Sequence, residues 1–310
     1  MNIQQFQYIL AVVDMKNFEE AAEKCHVTQS TLSTMIGKFE KEIGVKIFNR
    51  KTKPVSITSE GKEIIKRLRI LMNDIDALNN VIQELKGEME GELKIGIIPT
   101  ITPYLLPLFL AEFVALFPKI KVIIKEMTTA EIQKALKTRT IDIGILALPL
   151  LDNEIVEISL YSEPFLVYDC TGEQTASKIG VKELDYSKLL LLQEGHCLRT
   201  QAMRICELSD QLSNNINFEF ESGSMESLVR ITQKSKGITI LPYLASLDLD
   251  EKESDKLLWF TEPVPVRDIG IVTHDFFVKK VLLDKLQNII QTTVKKLLPE
   301  IVTQKIVNPL

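Results

Sequence analysis

The sequence predicts an α/β protein in three parts: a helical N-terminal domain over residues 1–58, a linker helix and hinge over 59–90, and a two-lobed α/β domain over 91–310. Two observations carry this prediction. An apolar repeat of helical spacing runs through the linker. Beyond the linker, β-branched runs alternate with helical segments, which is typical of a largely parallel sheet flanked by helices.

The composition is that of an ordinary globular protein with more than one core. The chain has 310 residues, of which 45% are hydrophobic and 25% are charged. It starts without a basic and apolar leader, and its longest apolar stretch, 104–117, is too short to cross a bilayer. We therefore expect a cytoplasmic protein that does not enter a membrane.

The distribution of charge and the spacing of the cysteines limit the kinds of partner and ligand that we expect the chain to bind. Residues 1–70 contain 12 Lys and Arg against 8 Asp and Glu, whereas the remainder contains 25 against 34. A basic head on an acidic body favours nucleic acid as the partner of the head. Four cysteines and three histidines lie scattered without C-x-x-C spacing, so neither a metal site nor a bound cofactor is expected.

The first domain is predicted to be a winged helix-turn-helix. Two short amphipathic helices precede a third, which Thr28 caps and which runs from Gln29 to Ile43. Its polar face suits base edges in a DNA major groove, and a hairpin over 44–58 offers cations to phosphates. The predicted DNA contacts are Gln29, Ser30, Thr31, Ser33, Lys38, Arg50, Lys51 and Lys53. An ordinary helical hairpin is the alternative.

The linker helix is predicted to run from Ser59 to Lys86 and to end in a hinge at Gly87 and Gly91. Its apolar residues recur at near-heptad spacing, which favours pairing between two subunits. They include Ile64, Ile65, Leu68, Leu71, Ile75, Leu78 and Ile82.

The α/β domain is predicted to divide into lobe I, residues 91–163 and 265–310, and lobe II, residues 164–264. Ligands of parallel sheets bind beyond the carboxyl ends of the strands. Predicted strands cover 93–98, 122–126, 141–146, 165–168, 189–192, 237–242 and 269–272, and a final helix covers 278–298.

Several threonines lie at predicted strand ends of lobe I. Thr128 with Glu131 forms a capping box, and Thr102 before Pro103 is a second helix cap. Thr100 and Thr129 have less to do structurally, so they are candidate ligand contacts.

A cysteine pair lies in lobe II. If Gly195 precedes a helix, Cys197 is in its first turn, and the helix dipole together with Arg199 predicts a lowered thiol pKa. Cys206 follows nine residues later, about 13 Å away along a helix at about 1.5 Å per residue. A disulfide needs α-carbons about 4.4–6.8 Å apart, so the pair is either a switch that requires unwinding or two inert buried thiols.

Residues of the first domain resemble the signature of LysR-type transcriptional regulators. They are Ala21, Ala22, the run 28–33, Ile36, Glu40, Gly44, Phe48, Arg50, Thr58 and Gly61. Ser30 and Phe39 stand where that family often has Pro and Leu. The two lobes resemble the family's periplasmic-binding-protein-like effector domain. The resemblance implies promoter DNA and RNA polymerase as partners, and a dimer or tetramer.

Within this family, the run 195–199 with Cys206 resembles the redox motif of the hydrogen-peroxide-sensing members, as do 98–107 and 237–242. The resemblance implies that Cys197 is peroxidatic and Cys206 resolving. It also implies a peroxide pocket formed by Thr100, Thr129, His196 and Arg199. Thioredoxin or glutaredoxin would re-reduce the pair, and the protein would not be an enzyme. Thr200 stands where those members commonly have Asp.

Three other functions were weighed against the sequence, and the DNA-binding head disfavours two of them. The main one is a metabolite-sensing LysR-type regulator with a small-molecule inducer in the cleft between the lobes. A thiol peroxidase gives no reason for residues 1–90, and a transport-type binding protein gives no reason for the DNA-binding head.

Overall fold

The structure is a computed structural model that describes residues 1–85, 90–173, 176–206, 224–275 and 277–309. The chain forms two compact units. The head unit comprises residues 1–88 with 138–140, and the effector unit comprises residues 89–137 with 141–310. No helix within the described ranges is both long and apolar enough to cross a membrane.

The head unit has the predicted winged helix-turn-helix fold. Its elements are α1 (Ile3–Met15), α2 (Phe18–Lys24), α3 (Gln29–Ile43), β1 (Phe48–Asn49), β2 (Ser56–Ile57) and α4 (Ser59–Leu85). The helix α3 has the predicted bounds, because the Thr28 side chain accepts a hydrogen bond from the Thr31 amide at 3.2 Å and Gly44 ends the helix at a φ of 71°.

The buried carboxylate of Glu40 ties α3 to the hairpin at residues 44–58, the wing. Its Oε1 accepts the amide N–H groups of Ile47 at 2.8 Å and of Phe48 at 3.2 Å. Its Oε2 forms ion pairs with Lys46 at 3.2 Å and Arg50 at 3.6 Å. One acidic side chain therefore fixes the start of the wing against the helix.

The helix α4 changes environment along its length. Ile65 and Leu68 are buried in the core of the head unit, whereas Leu71, Leu78 and Ile82 are 47%, 61% and 41% exposed. This exposed apolar row has the spacing that the predicted subunit pairing requires. The predicted helix end at Lys86 and the hinge residue Gly87 lie outside the described residues, and pairing stays a prediction.

The effector unit is a two-lobed α/β structure. Its strands are β3 (Gly91–Ile97), β4 (Ile120–Glu126), β5 (Ile143–Leu148), β6 (Ile155–Asp169), β7 (Lys178–Ile179), β8 (Ile238–Pro242), β9 (Leu257–Phe260), β10 (Val264–His274) and β11 (Gln304–Ile306). Its helices are α5 (Thr102–Leu116), α6 (Thr129–Lys137), α7 (Cys197–Ile205), α8 (Met225–Ser235), α9 (Tyr243–Ser246), α10 (Glu251–Ser254) and α11 (Lys280–Lys295).

Two long antiparallel strands, β6 and β10, run through both lobes. The strand order is β4-β3-β5-β10-β6-β9-β7, with β8 paired to β6 and β11 paired to β10. Strands β3, β4 and β5 are parallel neighbours in lobe I. The predicted strand 165–168 is thus the second half of β6, which begins in lobe I.

Two local predictions were wrong. The segment 189–192 forms a single bridge, between Leu189 and Ile238, because the Thr239 hydroxyl rather than a backbone amide binds the Leu190 carbonyl, at 2.8 Å. Thr102 lies inside α5, where its hydroxyl donates to the Ile98 carbonyl at 3.1 Å, so it is not the cap. The predicted capping box of Thr128 and Glu131 is confirmed.

We predict that Glu40→Ala lowers the free energy of unfolding of the head unit by about 2–4 kcal/mol, since it leaves two buried amides and two cations without their acceptor. Unfolding of the full chain in urea, followed by circular dichroism, measures this. Glu42→Ala is the control, because Glu42 is an exposed carboxylate whose ion-pair partner among the described residues is the Met1 amine. Equal losses in the two variants would contradict the role given to Glu40.

Candidate functional site

The predicted helix entry at Gly195 is confirmed. Gly195 has a φ of 90°, a backbone conformation that favours glycine, and His196 is the N-cap of α7. Cys197 is the first helical residue. Cys206 is the C-cap, and its amide donates to the Ala202 carbonyl at 3.1 Å. Both thiols are free, and they lie at opposite ends of one unbroken helix.

The two thiols belong to different hydrophobic cores. Cys197, 7% exposed, packs among the core residues of lobe I. Cys206, 3% exposed, packs in the core of lobe II together with Leu198 and Ile205 of the same helix. With about 13 Å of helix rise between them, the sulfur atoms cannot bond while α7 is intact.

The environment of Cys197 raises the pKa of its thiol. Burial away from water is the largest cause. Arg267, the hydroxyls of Thr100 and Thr129, and the Leu198 amide act in the opposite direction and favour the thiolate. The lowered pKa predicted from the sequence was therefore wrong in direction, because the sequence does not reveal how completely the thiol is buried.

The cation that acts on Cys197 is Arg267 of β10, which the sequence reasoning missed. Its side chain is 1% exposed, and it binds Glu163 of β6 through Nε at 2.8 Å and Nη2 at 2.6 Å. Its Nη1 reaches the Thr100 hydroxyl at 3.4 Å. Glu163 also accepts the Leu244 amide at 3.1 Å. The signal was available, because two adjacent charged residues, Arg267 and Asp268, interrupt the apolar run 264–272.

The two predicted peroxide contacts on α7 itself have different surroundings. His196 is 7% exposed, and burial lowers its pKa, so the imidazole is neutral near pH 7. The Arg199 guanidinium donates to the Leu192 carbonyl of lobe II at 3.0 Å. The predicted peroxide contacts of His196 and Arg199 are not tested by these distances and stay predictions.

The hydroxyl of Thr129 has few hydrogen-bond partners. It is fully buried beside Cys197, and apart from that thiol it has no hydrogen-bond partner among the described residues. A buried hydroxyl without a partner costs free energy, so this oxygen marks a place where a small polar molecule gains a hydrogen bond.

The surroundings of the other three cysteines act differently on the pKa of the thiol. Burial raises the pKa of Cys206 to about 12, and it also raises the pKa of Cys25 and Cys170. Lys24 acts in the opposite direction at Cys25, as do Lys256 and the Tyr168 hydroxyl at Cys170. Of the two thiols on α7, Cys197 is therefore the one whose anion a cation and two hydroxyls support, whereas burial is the cause given for Cys206. The described ranges contain no cluster of three His, Cys, Asp or Glu suited to a metal ion.

The predicted DNA contacts lie on one helix and the wing. Gln29, Ser30, Thr31 and Lys38 of α3 are exposed, as are Arg50, Lys51 and Lys53, while Ser33 is half-buried. The Arg50 guanidinium lies 4.8 Å above the Phe18 ring and donates to the Ser33 hydroxyl at 2.6 Å. Arg50 is therefore held in place between wing and helix, and DNA contact by these residues stays a prediction.

The fold and the paired domains define a transcriptional regulator. Residues 3–62 match the family described as "Bacterial regulatory helix-turn-helix protein, lysR family", and residues 86–277 match the family "LysR substrate binding domain". The chain belongs to the LysR family of transcriptional regulators.

Within that family the chain is similar to OxyR proteins. It is 32% identical over 274 residues to the "DNA-binding transcriptional dual regulator OxyR" of Escherichia coli K12, covering 88% of this chain and 89% of that protein. It is 30% identical over 274 residues to the "Hydrogen peroxide-inducible genes activator" of Haemophilus influenzae, covering 88% and 90%. A solved full-length OxyR variant from Pseudomonas aeruginosa superposes with a TM-score of 0.76 at 28% identity, covering 94% and 98%.

We predict that Arg267→Met alone lowers the free energy of unfolding of the effector unit by about 3–5 kcal/mol, because it leaves Glu163 buried without a cation. The double variant Glu163→Leu/Arg267→Leu regains most of that loss, since a well-packed apolar pair replaces the ion pair. Its Cys197 nevertheless reacts with peroxide about tenfold more slowly or worse, because the thiolate has lost its cation. Urea unfolding and stopped-flow oxidation measure the two quantities. Wild-type reactivity in the double variant would contradict the role assigned to Arg267.

Proposed function

We propose that this chain is a hydrogen-peroxide-responsive transcriptional regulator whose signal is a disulfide between Cys197 and Cys206. The observation that carries the proposal is the asymmetry of the two thiols. They lie in separate cores at opposite ends of one helix. Cys197 has a cation beside it, together with the Thr129 hydroxyl, which has no other hydrogen-bond partner among the described residues. The similarity to OxyR and to hydrogen peroxide-inducible activators supports it.

In the first step the Cys197 thiolate attacks one oxygen of hydrogen peroxide. The S–O bond forms as the O–O bond breaks, and hydroxide leaves and takes up a proton to become water. Thr129 and Thr100 donate hydrogen bonds to the peroxide, His196 and Arg199 complete the pocket, and the Arg267 charge stabilises the anion. The thiol has lost two electrons and is a sulfenic acid.

In the second step the Cys206 sulfur attacks the sulfenic sulfur. The S–S bond forms, the S–O bond breaks and the hydroxyl leaves as water. Because α7 keeps the sulfurs apart, the helix must open and one cysteine must leave its core. Peroxide is converted to two waters, and a thioredoxin or glutaredoxin dithiol supplies two electrons to restore the thiols, so the protein signals rather than turns over as an enzyme.

Formation of the disulfide changes how the protein binds DNA. Opening of α7 repacks lobe II and alters contacts between effector units of a dimer or tetramer, which pairs through the exposed apolar row of α4. The heads bind promoter DNA through α3 and the wing, and the complex acts on RNA polymerase in the cytoplasm. In this proposal residues 1–58 bind DNA, residues 59–90 link the domains and pair the subunits, and residues 91–310 sense peroxide.

The test is thiol mapping by mass spectrometry after a few equivalents of hydrogen peroxide. We expect a Cys197–Cys206 disulfide in the wild type, a trapped sulfenic acid at Cys197 in Cys206→Ser, and neither in Cys197→Ser. Cys170→Ser is the matched control and behaves like the wild type, because Cys170 packs in the same core as Cys206 but follows β6 and is not part of α7. Footprinting of promoter DNA with both redox forms then shows different protection.

If both thiols stay free at low peroxide, the redox proposal is wrong. A metabolite-sensing LysR-type regulator would then be the better account, with its inducer between the lobes and with induction unaffected by Cys197→Ser.

A further inference from the structure

The last residues of the sequence lie against α7, the helix with Cys197 and Cys206 at its two ends. Strand β11 lies parallel to β10, with Val264 opposite Gln304 and Val266 opposite Ile306. The Val307 amide then donates to the Val266 carbonyl at 2.8 Å. The Val307 side chain is 6% exposed and packs in the core of lobe II, the core that contains Cys206. The sequence-based interpretation had placed all of 265–310 with lobe I.

Two side chains of α7 bind this segment. The Gln201 amide nitrogen donates to the Val307 carbonyl at 2.8 Å, and the Arg204 guanidinium donates to the Asn308 carbonyl at 3.4 Å. Both bonds join a side chain on α7 to the backbone of the last residues, more than a hundred positions later in the chain. We call residues 303–308 the C-terminal strap.

Gln201 is an unusual residue for its place. It is fully buried in the middle of α7, and its Oε1 has no hydrogen-bond partner among the described residues. The carbonyl of Val307 only accepts, so the amide nitrogen must face it and the oxygen is left unpaired. A leucine would fill this position without that cost, so the buried amide points to a role beyond packing.

We propose that Gln201 is a positioning residue for the disulfide step and that the C-terminal strap holds α7 in its closed, reduced conformation. This inference rests on the proposed function, since it concerns the same pair of cysteines. Residues 201 and 204 lie between Cys197 and Cys206, so they move when the helix between the thiols opens. Their bonds to the strap are therefore made in the reduced form and lost in the disulfide form.

The strap then sets the threshold of the switch without touching the reacting sulfur. It stabilises the dithiol form relative to the disulfide, so its removal favours the disulfide and makes the reduction potential more negative. It does not change the attack of Cys197 on peroxide, because that step occurs with α7 still closed. An effect on disulfide formation without an effect on sulfenic acid formation therefore distinguishes a positioning role from a general loss of structure.

The experiment compares four variants with the wild type: a chain that ends at Ile306, and the full-length variants Gln201→Ala, Arg204→Ala and Lys305→Ala. Lys305→Ala is the matched control, because its side chain is exposed on the strap. Each is equilibrated in a defined redox buffer, and the ratio of disulfide to dithiol is measured by mass spectrometry. In parallel, the rate of sulfenic acid formation is measured in the Cys206→Ser background.

We expect the chain ending at Ile306 and Gln201→Ala to favour the disulfide by about tenfold, equivalent to a potential about 30 mV more negative. Arg204→Ala, an exposed substitution that leaves the core intact, shifts the ratio by about threefold. Lys305→Ala shifts nothing. Gln201→Ala adds no further shift in the shortened chain, because its acceptor is already absent. Sulfenic acid forms at the wild-type rate throughout.

The outcomes separate the two proposals. A wild type that forms no Cys197–Cys206 disulfide overturns the proposed function and, with it, this inference. A wild type that forms the disulfide, with an unchanged ratio in the shortened chain, Gln201→Ala and Arg204→Ala, overturns the strap alone. Equal shifts from Lys305→Ala and Arg204→Ala would also contradict it.

Discussion

The geometry of a single helix governs this structure. Nine residues of α-helix place Cys197 and Cys206 at opposite ends of α7 and in two separate cores, so a bond between them and an intact helix exclude each other. In the proposed function, formation of the disulfide is thereby coupled to the packing of a whole lobe. A disulfide that formed without moving the backbone would carry no such signal.

The buried ion pair of Glu163 and Arg267 provides a cation that acts on the Cys197 thiol in the core of lobe I. The two side chains lie on the strands that cross between the lobes, and both are almost completely buried. Arg267 favours an anion at Cys197, while burial keeps the pKa of the thiol raised. A buried ion pair is seldom retained for stability alone, because apolar residues often do as well. In the proposed reaction it supplies the cation that favours the Cys197 thiolate.

Local patterns in the sequence predicted the parts that depend on neighbours along the chain. The bounds of α3, the glycine entry at Gly195 and the place of Cys197 in the first helical turn follow from capping and spacing rules, and the structure confirms them. The pairing of Glu163 with Arg267 joins residues 104 positions apart, so no local pattern contains it. The same holds for the binding of Gln201 to the last residues of the chain. The direction of the thiol pKa failed for a related reason, since burial is a property of the packed lobes.

Hydrogen–deuterium exchange of the backbone amides of residues 201–206, which donate within α7, tests the central claim most directly. In the reduced protein these amides are expected to be protected, as the bond from the Cys206 amide to the Ala202 carbonyl indicates. After a few equivalents of peroxide, protection is lost across this segment in the wild type and kept in Cys206→Ser. Formation of the Cys197–Cys206 disulfide with protection unchanged would contradict the account, because the helix and the bond would then coexist.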